Sequence, residues 1–395
     1  MAHISYERSL EILNQNLPKT KDSQRVFLDN ALNRVLAEEI SAKYNNPYMP
    51  TASMDGYAIR HDDINNEIKV IGKNPAGRFD YTKIEKNTAV KTYTGSFMPE
   101  GSDTLVPIEN ATVKNGVLKI TDPVPKGYAV REVGEDFKQN ETLIKKGTLL
   151  KPGEIGVLAS LGIPVVDVVK KPVISVLATG AEVVDLGEEY KMGQIRSSNN
   201  YTLTALGNYL GFETLNMGIA PDDKSVIKEK IISALNSSDI VVTTGGVSVG
   251  DFDFVKEITG EFEVLFHGVN IKPGQWVMIA KTANKYIVSL PGFPYSSFVT
   301  FLLYVVPIAD ALEGKKSLKT VTAKLRDGFE KKFKKTQFVA VNLSFENGEY
   351  VVDTRGKKQG SSGILTNLIN NTALMELKEG LYTLKAGEKV KVIVY

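Results

Sequence analysis

Between Pro172 and Gly314 the chain alternates short apolar runs with segments of helical spacing, and few folds accept that order. Residues 173–178, 212–219, 239–244, 262–266, 277–280 and 286–290 read as strands. Residues 201–210 and 224–235, and a longer segment from about Ser296, read as helices, with Gly211 placed to close the first of them. Strands alternating with helices call for a parallel, doubly wound α/β sheet.

The rest follows other rules. With 395 residues the chain is expected to divide into roughly two to four domains. Asp22 or Ser23 can cap a helix whose apolar residues Phe27, Leu28, Ala31, Leu32, Val35 and Leu36 recur at helical spacing, and Pro47 and Pro50 end it. From there to about Asp136 short strands broken by Gly and Pro (68–71, 88–92 and 117–120) predict a small β domain. A helical pattern returns near Lys151, so this β segment is expected to interrupt a helical part. After Gly314 the pattern is β again, with a hairpin at Glu346-Asn-Gly-Glu and a closing strand over 390–395. The expected division is 1–44 with 138–170, 45–137, 171–314 and 315–395.

Composition excludes several chemistries. The sequence has no cysteine, which removes disulfides, thiolate metal sites and cysteine nucleophiles, and three scattered histidines make zinc a poor expectation. A net charge of +2 argues neither for nor against an anionic ligand, whereas one tryptophan and no interleaving of basic and aromatic residues argue against nucleic acid. The lysine-rich stretch 315–335 reads as a solvated linker face. The start lacks an apolar signal core and no apolar run reads as a membrane span, so the cytoplasm is the expected compartment.

In open α/β sheets ligands bind beyond the carboxyl ends of the strands. The segments there are Ala178-Thr-Gly-Ala-Glu182, Ala220-Pro-Asp-Asp223, Thr243-Thr-Gly-Gly-Val-Ser-Val-Gly-Asp251 with Asp253 beyond it, Ile271-Lys-Pro-Gly274 and Leu290-Pro-Gly-Phe-Pro294. All carry glycine, carboxylate, hydroxyl or lysine. Gly245, Gly246 and Gly250 can present backbone N–H groups to an anion, Ser248 adds a hydroxyl, and the next helix points its positive end there. Gly246-Val-Ser-Val-Gly250 also fits the nucleophile-elbow pattern, but His267 follows too soon for the usual order of serine, acid and histidine. His267 is better suited to capping a strand or touching a ligand. The phosphate-binding G-x-x-x-x-G-K-[ST] and dinucleotide G-x-G-x-x-G patterns are missing. Glu182, Asp222, Asp223, Asp251 and Asp253 beside phosphate-friendly loops suit Mg²⁺, while Asp222 or Asp223 can also cap the helix at Lys224.

Ser53-Met-Asp-Gly-Tyr-Ala, Thr94-Gly with Pro99-Glu-Gly-Ser-Asp, Gly134-Glu-Asp136, Thr179-Gly-Ala-Glu182, Ser198-Asn199, Asp222-Asp223, the Thr244 glycine loop, Lys272-Pro-Gly, Leu290-Pro-Gly-Phe-Pro294 and Ser361-Ser362-Gly-Ile-Leu-Thr follow one another along the chain. In that order they resemble the MoeA family of molybdopterin molybdenumtransferases and the carboxy-terminal part of gephyrin. The resemblance implies an elongated homodimer with a helical segment, an inserted β domain, an α/β domain and a terminal β-barrel. It implies insertion of molybdate into adenylylated molybdopterin with release of AMP. It marks Asp55, Thr94, Asp136, Glu182, Asp222, Asp253 and Lys272 as catalytic. Thr179, Gly180, Ser198, Asn199, Gly245, Gly246, Ser248, Gly250, Pro291, Gly292, Pro294 and Ser361 are marked as ligand-binding.

The roles expected from chemistry are these. Gly245, Gly246 and Ser248 cradle phosphate or pterin, and Lys272 places a positive charge on phosphate or molybdate. Asp222, Asp253 and Glu182 hold Mg²⁺ or position water. Pro291 and Pro294 stiffen their loop. Asp55 and Thr94 reach the site from a partner subunit. One departure stands out: Gln275-Trp276 occupy the place where the family commonly has lysine and proline. Losing that cation weakens the expected anion site and leaves tungstate as an alternative to molybdate. Other readings are the preceding adenylylation step, whose adenylyltransferase would be a transient partner, and a gephyrin-like scaffold.

Overall fold

The computed structural model describes residues 3–78, 82–247 and 254–395. It divides into two compact units: Met1–Val26, Asn33–Ala37 and Asp167–Tyr395 form the larger, and Phe27–Leu32 with Glu38–Val166 the smaller.

In the larger unit helix α1 (Tyr6–Gln15) opens at Ser5, whose hydroxyl accepts the Arg8 N–H at 3.1 Å. The helix expected over 22–36 does not form. Ser23–Phe27 is a strand, Leu28–Asn30 a single 3-10 turn, and Asn33 sits at φ 60°. The backbone of residues 35–37 instead bonds across to 167–169, with Val169 N–H on Val35 O and Ala37 N–H on Asp167 O. The apparent stripe does not make one face either. Ala31, Val35 and Leu36 are buried, whereas Phe27 and Leu32 are exposed.

The central sheet contains β1 (Val173–Thr179), β2 (Glu213–Ala220), β3 (Ile240–Thr244), β4 (Glu263–His267), β5 (Met278–Thr282) and β6 (Lys285–Leu290). Its order is β2-β1-β3-β6-β5-β4. The first four strands are parallel, as expected, but β5 runs against them, pairing antiparallel with β6 on one side and with β4 on the other. Only Ala283 and Asn284 separate β5 from β6, and so short a link permits only a hairpin. Helix α2 (Asn199–Tyr209) covers one face together with the long carboxy-terminal helix, and α3 (Lys224–Ser237) with α4 (Phe254–Thr259) covers the other. Strand side chains alternate to suit: Ile174 and Val176 join the first core, and Leu177 the second.

The long helix runs as α5 (Pro294–Thr300), a π turn (Phe301–Val305) and α6 (Val306–Glu313). Contrary to the sequence expectation, this segment of 20 residues is long and apolar enough to cross a membrane. Phe301, Leu302, Val305 and Ile308 are fully buried against the sheet, which accounts for the apolarity as that of a core helix.

Strands β7 (Lys319–Leu325), β8 (Thr336–Glu346), β9 (Glu349–Asp353), β10 (Thr372–Leu377) and β11 (Lys389–Val394) pair in the ring β8-β9-β7-β11-β10, and β10 returns to β8. This closed five-stranded barrel has no free edges around a core of Val339, Val341, Val352, Met375 and Val392. The expected hairpin turns at Asn347 and Gly348, both at positive φ. Before the barrel, Ile271–Lys272 pairs in parallel with Thr336 and Gln337, tying the sheet's last loops to β8.

The smaller unit carries a six-stranded sheet ordered Thr104–Pro107, Gly56–Ile59, Thr88–Thr92, Ile68–Asn74, Val117–Ile120, Ala111–Lys114. The three strands read from the sequence lie within it. The helical pattern near Lys151 is Pro152–Ser160, opened by Glu154 accepting the Lys151 N–H at 2.9 Å.

Candidate active site

The carboxyl ends of β1, β3 and β6 meet around a cavity of 540 Å³. Thr179, Glu182, Ser198, Asn199, Gly245, Gly246, Pro291, Gly292 and Pro294 line it, with Arg196, Val247, Trp276 and Phe293. Backbone conformation makes the cavity possible. Gly245 has φ 95°, and a Cβ there would stand 2.8 Å from the Thr179 carbonyl oxygen. Gly292 faces Gly245 at ordinary contact distance, a Cβ there standing 3.6 Å from the Gly245 Cα. Asn199 ties two loops together, donating from Nδ2 to Gly292 O at 2.7 Å and accepting from the Ser297 hydroxyl at 3.2 Å. His267, at the end of β4, holds the glycine loop through a 3.0 Å bond between Nε2 and Val247 O.

Two carboxylates bracket the turn after β1. Glu182 folds over Gly180, where a Cβ would lie 2.7 Å from its Oε2, and Asp222 Oδ2 accepts the Ala181 N–H at 3.0 Å. Asp223, not Asp222, caps α3, accepting the Ser225 and Val226 N–H groups; the Ser225 hydroxyl and these amides hold its carboxyl below the usual range. Glu182 lines the cavity while Asp222 is engaged by the turn, and both are oxygen donors of the kind Mg²⁺ takes. Among the described residues no three histidine, aspartate or glutamate side chains converge. Ser248, Gly250, Asp251 and Asp253 lie outside the described residues.

Lys272 and Ser361 come together in a second, smaller pocket of 20 Å³, which they line with Tyr295, Phe333, Lys358 and Ser362. Phe293-Pro294-Tyr295 joins it to the first: Pro294 lines the cavity, while Tyr295 N–H donates to Ser362 O at 3.1 Å. The Lys272 ammonium lies 4.8 Å from the centre of the Phe333 ring. Gln275 does not leave this region short of cations. Lys335 Nζ donates to Gln275 Oε1, and burial, followed by the charge of Lys272, lowers its pKa.

The lysine-rich run is therefore not a uniformly solvated face. Lys331 is 2% exposed, and its ammonium donates to Phe333 O, to Lys335 O at 2.9 Å and to Gly380 O at 2.5 Å. Lys357 does the same for the other side of the pocket, donating to Asn367 O at 3.0 Å, Ile369 O at 2.8 Å and Thr372 Oγ1 at 2.7 Å. Lys331, Lys335 and Lys357 escaped the sequence reading because lysine spacing alone does not reveal burial.

Asp55, Thr94 and Asp136 belong to the smaller unit. There Asp55 Oδ1 accepts the Thr94 N–H at 2.8 Å and its hydroxyl at 2.7 Å, and these bonds hold the carboxyl below its usual range. Asp136 accepts from Asn46 Nδ2 at 2.9 Å.

Fold and site together define a multidomain α/β protein with its ligand cavity at the strand ends and a closed β-barrel beside it. The sequence matches the MoeA N-terminal region (domain I and II) over residues 4–162, a probable molybdopterin binding domain over 175–311 and the MoeA C-terminal region (domain IV) over 322–395. It is 31% identical to a molybdopterin molybdenumtransferase of Haemophilus influenzae, over 96% of this chain and 95% of that protein. It is 32% identical to the Staphylococcus aureus (strain Mu50) protein of the same name, over 93% of this chain and 90% of that one. The crystal structure of the molybdopterin biosynthesis moeA protein of Pyrococcus horikoshii OT3 superposes with a TM-score of 0.84 at 30% identity, covering 100% of both chains. The chain belongs to the MoeA family of molybdopterin molybdenumtransferases and acts in molybdenum cofactor biosynthesis.

Proposed function

We propose that the chain transfers molybdenum from molybdate to adenylylated molybdopterin and releases AMP. The observation that carries this reading is the pairing of a glycine-lined cavity, roomy enough for a heterocyclic nucleotide, with an adjoining pocket lined by Lys272, Lys358 and Ser361. Gly245 and Gly246 cradle phosphate or pterin, and Ser248 and Gly250, outside the described residues, are assigned to the same ligand by the family pattern. Thr179, Gly180, Ser198 and Asn199 shape the cavity mouth, and Pro291, Gly292 and Pro294 keep the facing loop stiff. Lys272, beside Lys335, draws the oxyanion towards the dithiolene, with Ser361 donating a hydroxyl.

Glu182, Asp222 and Asp253 would hold Mg²⁺, which supplies charge neutralisation on the phosphate oxygens. The same carboxylates orient the water that cleaves the phosphoanhydride. Asp55 and Thr94 come from a second copy in a homodimer, making the site composite, and Asp136 is a further catalytic carboxylate. The substrate arrives from the adenylyltransferase of the preceding step, in the cytoplasm.

Incubation with adenylylated molybdopterin, Mg²⁺ and molybdate or tungstate tests the reaction. AMP release and reconstitution of an apo-molybdoenzyme are followed together. Bound nucleotide that is never cleaved with either oxyanion sinks the proposal. Mixing Asp55→Ala with Glu182→Ala protein tests the composite site, since exchanged dimers regain activity only if the two residues act across subunits.

A further inference from the structure

We propose that Trp276 is the stacking platform for the fused nitrogen heterocycle of the bound ligand, the ring chemistry that a pterin and an adenine share. The inference rests on reading the cavity as the seat of an adenylylated pterin. Trp276 lines that cavity, is half-buried, and is the sole tryptophan of the chain. Phe293 is the other aromatic residue of the wall, with a single six-membered ring, so the indole is the broader aromatic surface a flat ligand meets there.

The ring is held from outside the cavity. His3 stands perpendicular to it with centroids 4.6 Å apart, and His267 lies tilted at 5.9 Å. Both clamps are themselves fixed. His267 is bonded to Val247 O, and His3 lies over Gly268, where a Cβ would come within 2.5 Å of the imidazole. The peptide on either side of the clamp is paired too: Ile4 N–H donates to Gly268 O at 3.2 Å and Asn270 N–H to Ile4 O at 2.8 Å. An aromatic side chain locked in this way gives a base a preorganised face with little rotamer entropy left to lose. Gln275, next in the chain, is engaged by Lys335, so the indole and the paired cations Lys335 and Lys272 flank one turn. A ring on Trp276 therefore leaves the ligand's anionic end directed at the cations.

The unique indole makes the test direct. The full-length protein is titrated with AMP in one arm and with 6-hydroxymethylpterin in another, following tryptophan fluorescence and, independently, heat of binding. One probe should quench the emission to saturation and thereby name the ring that stacks. Trp276→Ala should bind that probe roughly 5- to 100-fold more weakly, while Trp276→Phe stays within about threefold, since stacking needs a π face rather than an indole. Circular dichroism confirms that each variant is folded. Unchanged affinity in Trp276→Ala, or binding of neither probe to the unmodified protein, overturns the platform. Adenylylated molybdopterin separates the two proposals. If Trp276→Ala releases AMP with unchanged KM, stacking fails and the transfer function stands; if the unmodified protein quenches on binding but releases no AMP, the reverse holds.

Discussion

The glycine-lined cavity and the lysine-rich pocket lie on either side of Phe293-Pro294-Tyr295, yet they are built by opposite means. In the first, backbone comes close to backbone: Gly245 at φ 95° faces Thr179 and Gly292, and side chains such as Asn199 only tie the loops together. In the second, two ammonium groups, one buried and one half-buried, organise the loops. Lys331 gathers the carbonyls around Phe333 and Lys335, and Lys357 those around residues 367–372. Where backbone meets backbone, as at Gly245 and Thr179, almost no added atom is tolerated. A pocket made by lysines tolerates shape changes but not the loss of a charge.

Substitutions that respect one design and violate the other break this comparison. The largest effect is expected from Gly245→Ala. It forces a left-handed conformation on a side chain that also meets the Thr179 carbonyl, so unfolding free energy falls by about 1–3 kcal/mol and AMP release drops at least about tenfold. Denaturant melts and turnover measured together check it; wild-type values for both would show that the loop is not shaped by glycine.

Next is Lys331→Met, which keeps the bulk but strands three carbonyl acceptors. A loss of about 2 kcal/mol is expected, with KM for molybdate rising more than AMP-release kcat falls. An unaltered KM would make the ammonium cage purely a stability device. Asn199→Ala removes the bond to Gly292 O and should cost about 1 kcal/mol while lowering turnover severalfold. Thermal unfolding resolves that step if the loops are coupled as described.

The smallest effect concerns pH. Burial first, then Lys335 and His267, holds the His3 pKa below its ordinary 6.5. The folded state therefore binds fewer protons than the unfolded state, so stability is full above 6.5 and declines as pH falls from there through the folded pKa. Tryptophan emission should shift over the same window as the perpendicular contact loosens, and His3→Phe should remove that shift. A shift that survives in His3→Phe assigns it to His267.

Much of this is legible in the sequence. The strands of the central sheet, helices α2 and α3 and the Asn347-Gly348 hairpin follow from periodicity and turn residues, because burial of one face imposes a fixed repeat. The segment 22–36 misled for the same reason: its apolar residues recur at helical spacing, but pairing of 35–37 with 167–169 offers the backbone a partner that local propensity cannot see. The antiparallel edge was within reach, since two residues between β5 and β6 leave no room for a crossover. Lys331 and Lys335 were not, because a lysine cage needs carbonyls from Gly380, far along the chain.

The sequence by itself determined which residues could serve an anionic ligand at strand ends, since glycine, carboxylate and lysine announce their chemistry and the α/β alternation announces where loops gather. Only the tertiary structure decided their grouping. It set Thr179, Asn199, Gly245 and Gly292 around one cavity, moved Lys272 and Ser361 to the pocket beside it, and turned Trp276 into a wall held by His3 and His267. The reason is physical: chemical type is a property of one side chain, whereas proximity depends on backbone hydrogen bonds and packing between segments hundreds of residues apart.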